Sequence, residues 1–73
     1  MKIFDSGLLR IARRNSGLTL KKVANALFIS ASCIAGKENG SIRVFADELP
    51  LFSKLYGVDI KTFFADKLDE SYK

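Results

Sequence analysis

Apolar residues recur at three- and four-residue spacing along most of this 73-residue chain, and strict apolar–polar alternation is absent over any useful length. The chain therefore reads as short helices, punctuated by caps and glycines. Asp5 or Ser6 can cap a first helix that turns Leu8, Leu9 and Ala12 inward and carries Arg10, Arg13 and Arg14 along its flank. Asn15-Ser16-Gly17 ends it, Gly17 being free to take the left-handed conformation. Thr19 caps a second helix, Leu20 to Leu27, with Val23, Ala24 and Leu27 on one face. Phe28-Ile29 form a tight turn. Ser30 caps a third helix over Ala31 to Lys37 with Ile34 as its inward anchor, and Asn39-Gly40 stops it. Residues 41–46 connect to a fourth helix capped by Asp47, where Pro50 falls in the tolerated first turn. That helix carries Leu49, Phe52, Leu55 and Tyr56 and stops at Gly57; Asp59 caps a fifth with Ile60, Phe63 and Phe64. The expectation is an all-α, compact five-helix domain over residues 1–66. A polar tail, 67–73, frays at its end.

What the chain lacks narrows its chemistry. It has no His and one Cys. That excludes nearly every zinc site, a Cys–His nucleophile pair and an internal disulfide, and it suits a reducing cytosol. No apolar run reaches the ~20 residues that span a bilayer, and Met1-Lys2-Ile3-Phe4-Asp5 does not open a signal peptide. Gly40 and Gly57 stand alone, so no phosphate loop is present. Asp66, Asp69 and Glu70 lack the glycine and spacing of a calcium loop. The expectation is a small cytosolic binding module with no catalysis, cofactor, metal or membrane span.

Charge suggests its partner. Residues 1–43 hold eight basic against two acidic residues, a net +6, whereas residues 44–73 hold four Lys against six acids, a net −2. A basic first part favours a polyanion, double-stranded DNA foremost.

The segment Thr19 to Ile34, TLKKVANALFISASCI, has the spacing of a helix-turn-helix. Two short helices crossing steeply through a three-residue turn need a small residue on the first, here Ala24, and a branched apolar residue on the second, here Ile34. Val23, Leu27 and Ile29 seal the joint. The helix-turn-helix thus spans about residues 19–37.

The flanks extend the pattern. Leu9 to Thr19 (LRIARRNSGLT) resembles the first helix of the Cro/repressor-like, xenobiotic-response-element type regulators, a lambda-repressor-like fold. Glu38-Asn39-Gly40 is similar to that family's motif after the recognition helix, and Leu49 to Phe64 (LPLFSKLYGVDIKTFF) to its last two helices. The resemblance covers about residues 8–64. It implies a small phage or mobile-element transcription regulator whose third helix enters the DNA major groove. It also implies a largely buried ion pair of Arg13 with Glu38. Many relatives dimerise through the last helix, which here would use Phe63 and Phe64.

The departures fall where function is decided. Leu20 stands where many relatives carry a phosphate-touching Gln, and Phe28 where many carry Gly, although positive φ is costly for Phe. Lys37 stands where a large apolar residue is usual, so it must snorkel or face solvent. With Ile34 inward, the expected outward face is Ala31, Ser32, Ala35 and Gly36, none able to make the forked contacts that read bases. Gly36 also weakens the helix by about 1 kcal/mol relative to Ala.

Two accounts follow. In one, DNA is held by phosphate contacts from Lys21, Lys22, Lys37, Asn39, Ser41 and Arg43 and by helix N-termini at Thr19 and Ser30, with methyl contacts and DNA shape adding modest specificity. In the other, the fold is an antirepressor or modulator. Ala31, Ala35 and Gly36, next to Leu20 and Phe28, then form a flat face that docks on a larger repressor. Cys33 reads as a packing residue.

Overall fold

The computed structural model describes residues 2–66. Its core is four α-helices: α1 (Ser6–Asn15), α2 (Leu20–Leu27), α3 (Ala31–Asn39) and α4 (Leu49–Tyr56). The expected tail, 67–73, lies outside the described residues. Each helix begins and ends for a local reason. The Asp5 carboxylate accepts from the Gly7 amide at 2.8 Å, so Asp5 rather than Ser6 caps α1. Thr19 Oγ1 accepts from the Lys22 amide and Ser30 Oγ from the Cys33 amide, both at 3.1 Å. These bonds satisfy amides that a helix start otherwise leaves free.

The third helix runs two residues beyond its expected end, to Asn39, and stops at Gly40 with φ +89°. Asp47 does not cap α4. It lies in a 3₁₀ turn, Ala46–Glu48, where the Glu48 carboxylate reaches back to the Phe45 amide at 2.9 Å. Pro50 falls in the first turn of α4, as expected.

The expected fifth helix is absent from the described residues. Asp59 does cap a turn, accepting from the Lys61 amide, but the turn is a single 3₁₀ segment, Ile60–Phe63. The chain then extends into β2 (Phe64–Asp66), which pairs antiparallel with β1 (Lys2–Phe4) in the register Lys2↔Asp66, Ile3↔Ala65 and Phe4↔Phe64. The fold is therefore mostly helical with a minor two-stranded sheet. Two bulky aromatics stand at the change from turn to strand. Phe63 is fully buried, whereas Phe64 packs edge-on against Phe4 with ring centroids 6.1 Å apart. Phe63 closes the 3₁₀ turn facing the core, and the strand begins at the next residue. Phe63 is thus part of the core, and the last helix expected to carry a dimer contact is a single 3₁₀ turn.

Leu9, Ala12, Val23, Ala24, Ile34, Leu49, Phe52, Tyr56 and Phe63 form the core. Ala24 and Ile34 occupy the joint of the helix-turn-helix as the sequence requires. No helix among the described residues is long and apolar enough to cross a membrane.

Candidate functional site

The geometry of α3 is set from beneath by charge. Arg13 on α1 donates Nε to Glu38 Oε2 at 2.6 Å and Nη2 to Oε1 at 3.1 Å, and its Nη1 reaches the Leu18 carbonyl at 2.9 Å. This forked pairing satisfies two ions that would be costly if buried alone. The hydrogen bonds it donates to Glu38, partly opposed by burial, hold the Arg13 guanidinium above its ordinary pKa. Tyr56 lies in the same interior with its hydroxyl unpartnered. Burial first, and then the Glu38 charge, push that hydroxyl well above the usual phenol range.

Lys37 neither snorkels to water nor faces solvent. It is only 5% exposed. Its ammonium donates to both Glu48 carboxylate oxygens at 3.0 and 3.2 Å and to the Arg43 carbonyl at 3.1 Å. Burial pushes the Glu48 carboxyl up, but the Phe45 amide and the Lys37 ammonium outweigh it and hold it below the usual carboxylate range. Lys37 therefore leaves the set of expected phosphate contacts, because its charge is spent inside the protein.

Gly36 also leaves the expected outward face. It is buried beneath the connector: a Cβ built on it would lie 2.5 Å from Ile42 Cδ1 and 2.7 Å from Cγ1. Of that expected face, Ala31 and Ser32 remain exposed and Ala35 half-buried, and Asn39 at the end of α3 is exposed as well. Leu20 is half-buried and packs against the core.

Two exposed cations stand beside this face. Arg10 and Arg14 of α1, Leu20 at the start of α2, and Ala35 and Asn39 of α3 line one cleft whose floor is the Arg13–Glu38 pair. Lys21 and Lys22 are exposed on the first turn of α2, and Arg43 is exposed on the connector with its guanidinium 6.0 Å from the centroid of the Phe45 ring. Asn39 Oδ1 accepts from the Ser41 amide at 2.9 Å and fixes the start of that connector. Thr19 and Ser30 hold the N-termini of α2 and α3 in place. Their side chains are engaged as caps, so the amides of those first turns are what they offer.

Arg10 and Arg14 were not among the candidate site residues. The signal was present, since both sit beside Arg13, and a pair between Arg13 and Glu38 brings that stretch of α1 against α3.

The turn between α2 and α3 keeps its standard shape despite lacking glycine. Phe28 adopts φ +61°, ψ +38°, and the Phe28 and Ile29 amides both bond the Ala24 carbonyl. Its side chain is 93% exposed. A bulky residue in the left-handed region is strained. Cys33 is half-buried and free. Among the described residues no group of three His, Cys, Asp or Glu could hold a metal ion.

The helix-turn-helix domain family model matches residues 6–62 of the chain. No curated protein matches it.

Proposed function

The chain belongs to the helix-turn-helix domain family, and from that premise we propose that it is a DNA-binding transcription regulator of the Cro/repressor type, acting in the bacterial cytosol and phage- or mobile-element-encoded. The observation that carries the proposal is the convergence of Arg10, Arg14, Leu20, Ala35 and Asn39 on one cleft beside the outward face of α3. In this reading α3 enters the major groove. Lys21, Lys22, Arg10, Arg14 and Arg43 neutralise phosphates. The amides at the starts of α2 and α3, positioned by Thr19 and Ser30, add donors to the backbone. Ser41 and Asn39 shape the loop between α3 and Arg43.

Base reading is correspondingly thin. Ala31 and Ala35 can touch thymine methyl groups, and Ser32 makes one undemanding hydrogen bond. Affinity should come mainly from phosphates, and specificity from DNA shape and methyl contacts. Two copies would bind a palindromic site. Catalysis has no part in this reading.

The test is duplex binding over a range of salt. The wild-type chain should retain random 30-bp duplexes, with affinity falling steeply as salt rises and varying little with sequence. Lys21→Glu with Lys22→Glu should lower affinity at least about tenfold. Failure to retain any duplex at low salt would sink the proposal.

Exposed Phe28 favours a second reading, an antirepressor that docks its α2–α3 surface on a larger repressor. A strained aromatic standing 93% in solvent is unusual unless something covers it. Phe28→Gly separates the two: it should leave duplex binding unchanged and abolish a complex with the repressor from the same host.

A further inference from the structure

In a helix that docks on DNA, a position two residues beyond the inward anchor normally carries a side chain. Here Gly36 occupies it, and the connector fills the space. A Cβ at position 36 would stand 2.5 Å from Ile42 Cδ1 and 2.7 Å from its Cγ1. The Ile42 amide donates to the Gly36 carbonyl at 3.1 Å, and Ser41 Oγ approaches that same carbonyl at 3.5 Å. From the other side, the buried Lys37 ammonium grips the Arg43 carbonyl at 3.1 Å. The Glu48 carboxylate that anchors Lys37 also takes the Phe45 amide. Residues 41–45 are thus fastened at both ends and packed onto α3, with Arg43 at the fastened centre and its side chain exposed.

We propose that Gly36 is a positioning residue: by admitting Ile42 against the α3 backbone it seats the Ser41–Phe45 segment so that Arg43 is pre-set for a DNA phosphate. The proposal rests on the DNA-binding reading above. The missing side chain at position 36 is then a gain in placement rather than a mere loss of base contact. Fixing a charged group before binding removes an ordering cost that a loose loop would incur on the complex. A Cβ at position 36 displaces Ile42, and the displacement passes to its chain neighbour Arg43.

Gly36→Ala tests this in the full chain, because alanine favours the helix and leaves the core untouched. The variant should fold, lose hydrogen-exchange protection at the Ile42 amide, bind duplex DNA about tenfold more weakly and show a salt slope reduced by about one phosphate. Adding Ile42→Ala, which empties the space the new Cβ needs, should restore both affinity and slope. In an Arg43→Ala background, Gly36→Ala should change neither, since the contact it positions is already gone. A purely structural glycine would not produce that dependence on Arg43. Wild-type affinity and slope in Gly36→Ala would overturn the seat while leaving the DNA reading standing. Absence of duplex binding by the wild type would remove the DNA reading and this proposal together.

Discussion

The two faces of α3 are built on opposite principles. The inward face is crowded with charge. Glu38 is pinned by Arg13, and Lys37 is pinned by Glu48 and the Arg43 carbonyl. Ile34, fully buried, lies between them in the core. The outward face is nearly blank before its last residue, the exposed Asn39: Ala31, Ser32 and Ala35 offer one hydroxyl and two methyl groups. In a helix that reads bases, chemical information concentrates outward. Here it concentrates inward, so the sequence specifies where α3 sits far more sharply than what it recognises. In the proposed DNA-binding reading, a helix placed so firmly acts as a shaped probe and nearby cations supply the attraction.

The contrast breaks most visibly at Glu38. Glu38→Ala leaves the Arg13 guanidinium buried with only the Leu18 carbonyl, and should lower unfolding free energy by about 3–5 kcal/mol, read from urea denaturation. Arg13→Met with Glu38→Leu should recover most of that, because burial without charge removes the need for a partner. A loss under about 1 kcal/mol in the single variant would mean that the pair is effectively solvated and that the inward face is not held by charge.

Lys37→Met is the next largest. It removes three hydrogen bonds, but Glu48 keeps the Phe45 amide and has more access to water than Glu38, so the loss should be about 1–3 kcal/mol. Its pH dependence sharpens the reading. Glu48 is held below the usual carboxylate range in the folded state, so its contribution is complete above that range and disappears as pH falls through the lower folded value. Wild type should therefore lose stability on acidification more steeply than Lys37→Met, measured by thermal unfolding between neutral and acid pH. Parallel profiles would show that Lys37 does not help hold Glu48 ionised.

Tyr56 supplies a smaller effect of opposite sign. Its hydroxyl is buried without a partner, so Tyr56→Phe should be neutral or stabilising by up to about 1 kcal/mol. A clear loss of stability would reveal that the hydroxyl is satisfied after all and belongs to the Arg13–Glu38 network.

Much of this architecture was legible in the sequence because it depends on local rules. The caps at Thr19 and Ser30, the left-handed glycines 17, 40 and 57, and the Ala24–Ile34 joint follow from residue types at fixed spacing. The Arg13–Glu38 pair was legible only through the family resemblance. What failed to show were tertiary overrides. Nothing local says that Phe64 would leave a helix to pair with Phe4, a partner sixty residues away. Gly36 read as a blank on the outward face because the residue that fills it, Ile42, lies across a turn whose path the helical periodicity does not give. Lys37 read as a solvated cation because its counter-ion, Glu48, belongs to a segment expected to begin a different helix. Lys21, Lys22, Ala31 and Ser32 are exposed, as the helical pattern implies. Arg10 and Arg14 share a cleft with Ala35 and Asn39 because α1 packs against α3, an arrangement the helical periodicity does not give.

The outward face gives the smallest stability effect and the most direct comparison with the inward one. Ala31 is exposed and occupies the first turn of α3, where its methyl group is replaceable without disturbing the core. Ala31→Gln should change unfolding free energy by no more than about 0.5 kcal/mol, as surface substitutions usually do. If α3 is already aimed into the major groove, the added amide can take a forked contact with adenine and should create sequence discrimination of about 1–3 kcal/mol among duplexes. Selection from a randomised duplex pool before and after the change reads this directly. A wild-type pool without enrichment and a variant pool enriched in one base at one position would show a helix placed to read but left without the side chains to do so. Enrichment in neither pool, with stability unchanged, would show that α3 does not face the groove and that its blank surface serves the protein-docking reading instead.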